Sequence, residues 1–195
     1  MTMRRLARNN SGQALIETAL ILPLLLTIVL NAINFAFFFL MALNITASSH
    51  SSGIYSIMGG ATPAAQALPQ AGPYDTNTSV SYLAYQDLTG AVYTPTPTNT
   101  GVNVCSSTVG VSGTGSATVT TCTSSGIGGG FPKSSDADPE APAFLMGRVD
   151  VAYKFSPPIP LTPFNALLLL ATNCSSSGGT VTCTFYRHVV MREMQ

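Results

Sequence analysis

Between Ala19 and Leu43 the chain reads ALILPLLLTIVLNAINFAFFFLMAL, apolar on every side, with Thr27, Asn31 and Asn34 as its markedly polar residues. A helix of about 20 apolar residues crosses the hydrocarbon core of a bilayer, so this run predicts a membrane span. A cleaved secretory signal has a shorter apolar region of about 7 to 15 residues and a small-residue exit, and the run is too long to match it. The helix is expected to continue through NITASSHSSGIYSIM and to stop at Gly59 and Gly60, ahead of Pro63. That makes one helix of about 45 residues, or about 65 to 70 Å at 1.5 Å per residue.

Further along the chain the period shortens. Val80, Leu83, Ala84 and Leu88 fall at helical spacing behind Thr78 or Ser79 as a cap, which predicts a short amphipathic helix within 77–90. In RVDVAYKF, Val149, Val151, Tyr153 and Phe155 alternate with Arg148, Asp150, Ala152 and Lys154, the pattern of a half-buried strand with one wet face. The tail TVTCTFYRHVVMRE alternates in the same way, placing Val181, Cys183, Phe185, Val189 and Met191 on one side of a second long strand. Residues 91–101 and 124–143 are rich in Pro, Gly, Ser and Thr and read as connectors, and ALLLLA at 166–171 is too short to span a membrane. The expected class is α+β: a long N-terminal transmembrane helix extended beyond the membrane, then a small head with an antiparallel sheet.

Charge narrows the range of functions. Of 195 residues, 46% are hydrophobic and 8% charged, against about 25% charged in an average soluble domain. The eight basic and eight acidic residues cancel. Nucleic-acid binding needs a concentrated basic face, which this chain lacks. Arg4, Arg5 and Arg8 precede the span and no further Lys or Arg occurs until Lys133. The positive-inside rule therefore places the N-terminus in the cytoplasm and everything after about residue 45 outside.

The four cysteines fit an exported head. Cys105 and Cys122 bracket one Gly-containing segment, Cys174 and Cys183 another, and both read as Cys-Ser-Ser, a Gly-rich turn, then Thr-Val-Thr before the second cysteine. Of the three pairings that four cysteines allow, the local one is favoured, Cys105 with Cys122 and Cys174 with Cys183. Zinc would want C-x2-C spacing or nearby histidines, so no metal is expected. Other chemistry is thin. His50 and His188 stand singly without a nucleophile elbow, Gly126 to Gly130 lacks the context of a phosphate loop, and Asp136, Asp138 and Glu140 miss the calcium-loop pattern. Neither an enzyme nor a cofactor nor a small-molecule substrate is expected.

The mouth of the span carries the most informative residues. In RRLARNNSGQALIETALILPLLL a basic leader ends in Gly12, and Glu17, five residues on, is the only charge between Arg8 and Asp75. A carboxylate at the start of an apolar helix is costly and usually faces a partner. This segment resembles the precursors of type IV pilins, and within them the TadE-like minor pseudopilins of the tight-adherence (Flp) pilus system. The resemblance rests on Gly12 to Glu17, on Ala19-Leu20 with Pro23-Leu24-Leu25, on Asn44 to Tyr55, and on the Val-Met-Arg-Glu at 190–193. It departs from the family's pattern at Thr18, where an aromatic residue is usual, and near Asn31 to Asn34, where the family has an acidic residue.

The resemblance implies a leader of residues 1–12 that a prepilin peptidase removes between Gly12 and Gln13. It further implies a transmembrane and extended helix over 13–58, and an exported α+β head over 59–195. Glu17 would set axial register against a freed α-amino group as the helix packs against other pilin subunits and the assembly platform. Pro23 removes one backbone hydrogen bond, and is expected either to bend or locally melt the helix for that packing or to stand as a tolerated membrane-helix kink. The expected location is the bacterial inner membrane, single-pass, with the head periplasmic. The competing expectation is a bitopic, unprocessed adhesion or binding module.

Overall fold

The computed structural model describes residues 11–58, 69–90, 94–109, 118–127, 131 and 146–192. Helix α1 runs unbroken over Ser11–Met58 with Pro23 inside it. Helix α2 covers Val80–Thr89, capped by Ser79, whose hydroxyl accepts from the Tyr82 amide at 3.0 Å. Five strands follow: β1 (Thr100–Val109), β2 (Thr118–Gly126), β3 (Met146–Phe155), β4 (Cys174–Ser177) and β5 (Thr180–Arg192). Two short 3-10 turns, Thr162–Phe164 and Leu168–Leu170, lie between β3 and β4.

The strands form one antiparallel sheet in the order β2-β1-β3-β5-β4. Each disulfide-clipped segment is a hairpin at one edge, with β3 between them. Cys105 stands opposite Cys122 in the ladder and is bonded to it, as Cys174 is to Cys183. The β4–β5 hairpin turns through Gly178 and Gly179, both at positive φ (58° and 79°), the left-handed pair that a two-residue hairpin loop demands. β1 begins at Thr100 and β2 continues to Gly126, so the sheet takes in the ends of the two stretches that composition marks as connectors.

The register sorts side chains onto two faces. Val102 and Val104 of β1 sit opposite Val151 and Val149 of β3, and Tyr153 and Phe155 sit opposite Phe185 and Cys183 of β5. With Met41 and Ile45 of α1 and Val80, Ala84 and Leu88 of α2 they make the core. α1 lies across β3 and β5, and α2 is wedged between α1 and β1. Phe38 of α1 meets Phe185 with ring centroids 4.8 Å apart. The second disulfide is on this core face, whereas Cys105 shares the opposite face with Asn103, Arg148 and Asp150.

That opposite face corrects the expectation of a wet side to β3, since Asp150 is fully buried and Ala152 nearly so. The physical reason is a closed polar cluster. Asp150 accepts from Arg148 Nε at 2.9 Å, from Asn103 Nδ2 at 3.1 Å and from the Tyr186 hydroxyl, and Arg148 Nη2 lies 2.9 Å from the same carboxylate. A carboxylate with this many donors tolerates burial in the middle of a sheet.

Candidate functional site

The candidate site is the N-terminal part of α1 and the junction where the head begins to cover it. From Gly12 to Leu30 no residue of the helix is buried, and the large apolar side chains from Leu15 to Val29 face outward. At about 1.5 Å per residue this bare segment is about 28 Å long, close to the roughly 30 Å hydrocarbon thickness of a bilayer. The helix that carries it, over Gly12–Ile57, is long and apolar enough to cross a membrane.

Gly12 and Gln13 lie at its first turn, both exposed. A Cβ placed on Gly12 would meet nothing within 4 Å, so the fold itself makes no demand for glycine there. Glu17 is exposed one turn further on, and among the described residues it makes no hydrogen bond or ion pair. Pro23 has no N–H to offer Ala19, yet the helix carries through it. Thr18 and Thr27 return their hydroxyls to the carbonyls of Ala14 and Pro23, at 2.8 Å each, and so bring no unpaired polar hydrogen into the apolar stretch.

Bareness ends at Asn31. One face of α1 then becomes buried at Asn31, Asn34, Met41, Ile45, Ser48, Ser52 and Ser56, steps of three or four residues apart from the gap that half-buried Phe38 fills. Asn34 Nδ2 donates to Ile159 O (2.9 Å), Phe164 O (3.0 Å) and Asn165 Oδ1 (2.9 Å), and its Oδ1 accepts from the Ile159 amide. Asn31 Nδ2 donates to Thr27 O and Pro163 O, while its Oδ1 accepts from Leu167 N at 3.5 Å. The apolar run that predicts a span through Leu43 is thus divided. Its last dozen residues have one face under the head, because two asparagines on one helix face pin the 159–167 loop there. In the sequence these asparagines stand out as polar interruptions of the apolar run and as a departure from the acidic residue of the TadE-like pattern. Their spacing of three, which puts both on one side of a helix, was the available signal.

Further up, small residues let the elements close in. A Cβ on Gly53 would come within 2.4 Å of Val189 Cγ1, so glycine is what allows β5 to approach α1 here. Ser48 donates to Ala84 O of α2. The titratable groups of the head are spread around this core. Burial pushes Tyr85, whose hydroxyl donates to Thr100 O, up to about 12, with Tyr74 adding to the effect. Burial also raises Asp87, partly offset by a hydrogen bond from Ser51, and raises Tyr186, which donates to Asp150.

Among the other residues singled out from the sequence, His50 and His188 are exposed and far apart in the chain, on α1 and β5. Gly126 ends β2 at positive φ. Arg4, Arg5, Arg8, Asp136, Asp138, Glu140, Glu193 and most of the 126–130 glycine run lie outside the described residues. Among the described residues no group of His, Cys, Asp or Glu is arranged to hold a metal ion. No curated protein matches the chain, nor does any solved structure. Residues 12–51, which take in the bare segment and the start of the covered one, match the model of the TadE-like protein family, the family that the N-terminal pattern resembles.

Proposed function

We propose that this protein is a minor pseudopilin, a structural and assembly component of a tight-adherence pilus or a related secretion system. It is anchored by a single span, with residues 1–12 as a cytoplasmic leader, 13–58 as the membrane and extended helix and 59–195 as an exported head. The TadE-like match over residues 12–51 supports a pilus-associated role. The observation that carries the finer reading is Glu17: an exposed carboxylate on a bare apolar helix with no partner among the described residues of its own chain.

In this reading a prepilin peptidase cuts between Gly12 and Gln13 and exposes an α-amino group about one helical turn from Glu17, on the same subunit or a neighbour. Opposite charges held together offset a desolvation that neither bears alone. Once drawn from the lipid, residues 13–30 would pack against other pilin helices, with Pro23 giving local freedom to bend. The role is structural rather than catalytic, and the partners are the inner membrane, the peptidase, other pilin subunits and the assembly platform.

Intact mass and N-terminal sequencing of the membrane-extracted protein test this reading. The mature chain is expected to begin at Gln13. Gly12→Leu should retain the leader, whereas Glu17→Ala should be cut normally yet be recovered poorly in assembled pili. A parent chain that keeps residues 1–12 in a host with an active peptidase would leave the unprocessed, membrane-anchored binding module standing instead.

A further inference from the structure

The loop between β3 and β4, SPPIPLTPFNALLLLATN, contains the ALLLLA run at 166–171 that is too short to span a membrane. Its place in the fold suggests another role. Asn31 and Asn34 hold it against α1 at the level where the bare segment ends, so the loop forms the base of the head nearest the span. Leu168 is buried and fastens it to the core, while Leu161, Leu167, Leu169 and Leu170 point outward, Leu170 at 81% exposure.

Three observations bear on what covers these leucines. First, the stretch of α1 on which Asn31 and Asn34 hold the loop, and the turns just above it, are exposed and apolar as well, at Ile33, Phe35, Phe39, Leu40 and Leu43. Second, no Asp, Glu, Lys, Arg or His occurs between Lys154 and Arg187, nor any Asp, Glu, Lys or Arg on α1 between Glu17 and the helix end, so the loop and the stretch of α1 that it packs on carry no charge of their own. Third, the loop's backbone is provided for internally. Pro157, Pro158, Pro160 and Pro163 have no N–H to leave unpaired. Asn34 and Asn165 donate to Ile159 O, Asn165 to Leu161 O, Asn31 to Pro163 O and Asn34 to Phe164 O. Irregular backbone is tolerated at membrane depth only where its polar groups are satisfied within the protein.

Lengths agree. The bare segment is about 28 Å of helix, against about 30 Å for the hydrocarbon core, and the headgroup region adds about 5–7 Å on each side. Asn31 and Asn34, within about 6 Å of the segment's end, and the loop they hold therefore fall at the headgroup level when the bare segment fills the core.

We propose that the 159–171 loop is a second membrane contact, a leucine-bearing base that seats the head in the interfacial zone of the bilayer spanned by α1. The occupant of the patch is phospholipid, and the loop fixes how far the head stands off the membrane. The proposal rests on α1 being a membrane span and is independent of leader cleavage or pilus assembly.

The chain contains no tryptophan, which supplies a clean probe. Leu170→Trp, Leu22→Trp in the middle of the bare segment and Gln86→Trp on the exposed side of α2 would each be placed in the full chain. Each is reconstituted into vesicles of phosphatidylethanolamine and phosphatidylglycerol carrying brominated acyl chains. Leu170→Trp is expected to show blue-shifted emission and loss of intensity, greater with bromine near the glycerol end of the chain than near its methyl end. Leu22→Trp should show the reverse depth preference, and Gln86→Trp should be unaffected. Water-like, unquenched emission from Leu170→Trp beside a quenched Leu22→Trp would overturn the loop's role and leave the span intact. An unquenched Leu22→Trp would overturn both. Emission from Leu170→Trp that ignores brominated lipid and shifts only as the protein-to-lipid ratio rises would assign the patch to self-association and overturn the lipid contact.

Discussion

Residues 12–30 and 31–57 of α1 belong to one continuous helix, yet the first stretch is bare on every side and the second is covered along a stripe by α2, β3, β5 and the 159–167 loop. Hydrophobicity does not mark the boundary between them, since Phe35 to Leu43, just beyond it, is as apolar as Leu20 to Leu30 and the helix turns polar only from Asn44. What separates them is a stripe of residues that are polar or small. Asn31 and Asn34 offer side-chain amides to a proline-rich loop, and Ser48, Ser52, Gly53 and Ser56 reduce the bulk between backbones. Ser52 makes the point about size, because its buried hydroxyl has no hydrogen-bond partner among the described residues. Its small side chain, rather than its polarity, suits the place. From Leu15 to Leu30 the bare stretch offers no side-chain amide, and the hydroxyls of Thr18 and Thr27 are bonded to their own helix, which fits a surface met by lipid, or by other helices after assembly, rather than by its own chain.

The largest expected effect would break this contrast if it failed. Ile45→Ala, in the covered stretch, leaves a cavity in the core and should destabilise the head by about 2–5 kcal/mol. Leu22→Ala removes a similar side chain from the bare stretch and should leave head stability unchanged. Denaturant unfolding in detergent, followed by near-ultraviolet circular dichroism of the head tyrosines, measures both. Equal losses would mean that the bare stretch packs on the head after all.

A smaller effect tests the boundary. Asn34→Ala strands the carbonyls it serves in the 159–165 loop, and a buried group left unsatisfied costs about 1–3 kcal/mol. Thr27→Ala, one helical turn below Asn31, loses a hydroxyl bonded only to its own helix and should cost almost nothing. Limited proteolysis reports the difference: the 159–171 loop should become cleavable in Asn34→Ala and stay resistant in Thr27→Ala. Resistance in both variants would remove the asparagines from their role as the fastening.

These elements also divide what was legible in the sequence from what was not. The long helix, α2 with its Ser79 cap, the alternation of β3 and β5 and the two local disulfides all rest on short-range patterns, and each is present in the structure. The burial of Asp150 and the docking of the loop rest on partners remote in the chain, with Asn103 47 positions from Asp150 and Ile159 125 from Asn34. Local periodicity can place Asn31 and Asn34 on one helix face, but it does not name the partner in either meeting. In the candidate site, Gly12 and Glu17 could be singled out from spacing and isolation of charge, while the point at which the bare stretch ends could not, because it depends on a loop of irregular backbone more than a hundred residues away.

The smallest expected effect sharpens the comparison by acting on the head alone. Tyr85 of α2 is buried, and its pKa rises from the ordinary 10.0 to about 12. Between these values the unfolded chain has released the phenolic proton and the folded head still holds it. The folded state then binds more protons, so stability is full below pH 10 and falls as pH rises toward 12. Tyr186, raised chiefly by burial, adds to the fall in the same direction. Tyr85→Phe should flatten the slope across this window, at a cost of about 1 kcal/mol at neutral pH for the lost hydrogen bond to Thr100 O. Thermal unfolding at stepped alkaline pH should show the near-ultraviolet signal of the head fading while much of the far-ultraviolet helical signal persists, since the bare stretch relies on no contact with the head. A slope unchanged in Tyr85→Phe would show that the buried phenol does not govern the alkaline limit. Simultaneous loss of both signals would show that the two stretches of α1 unfold as one unit.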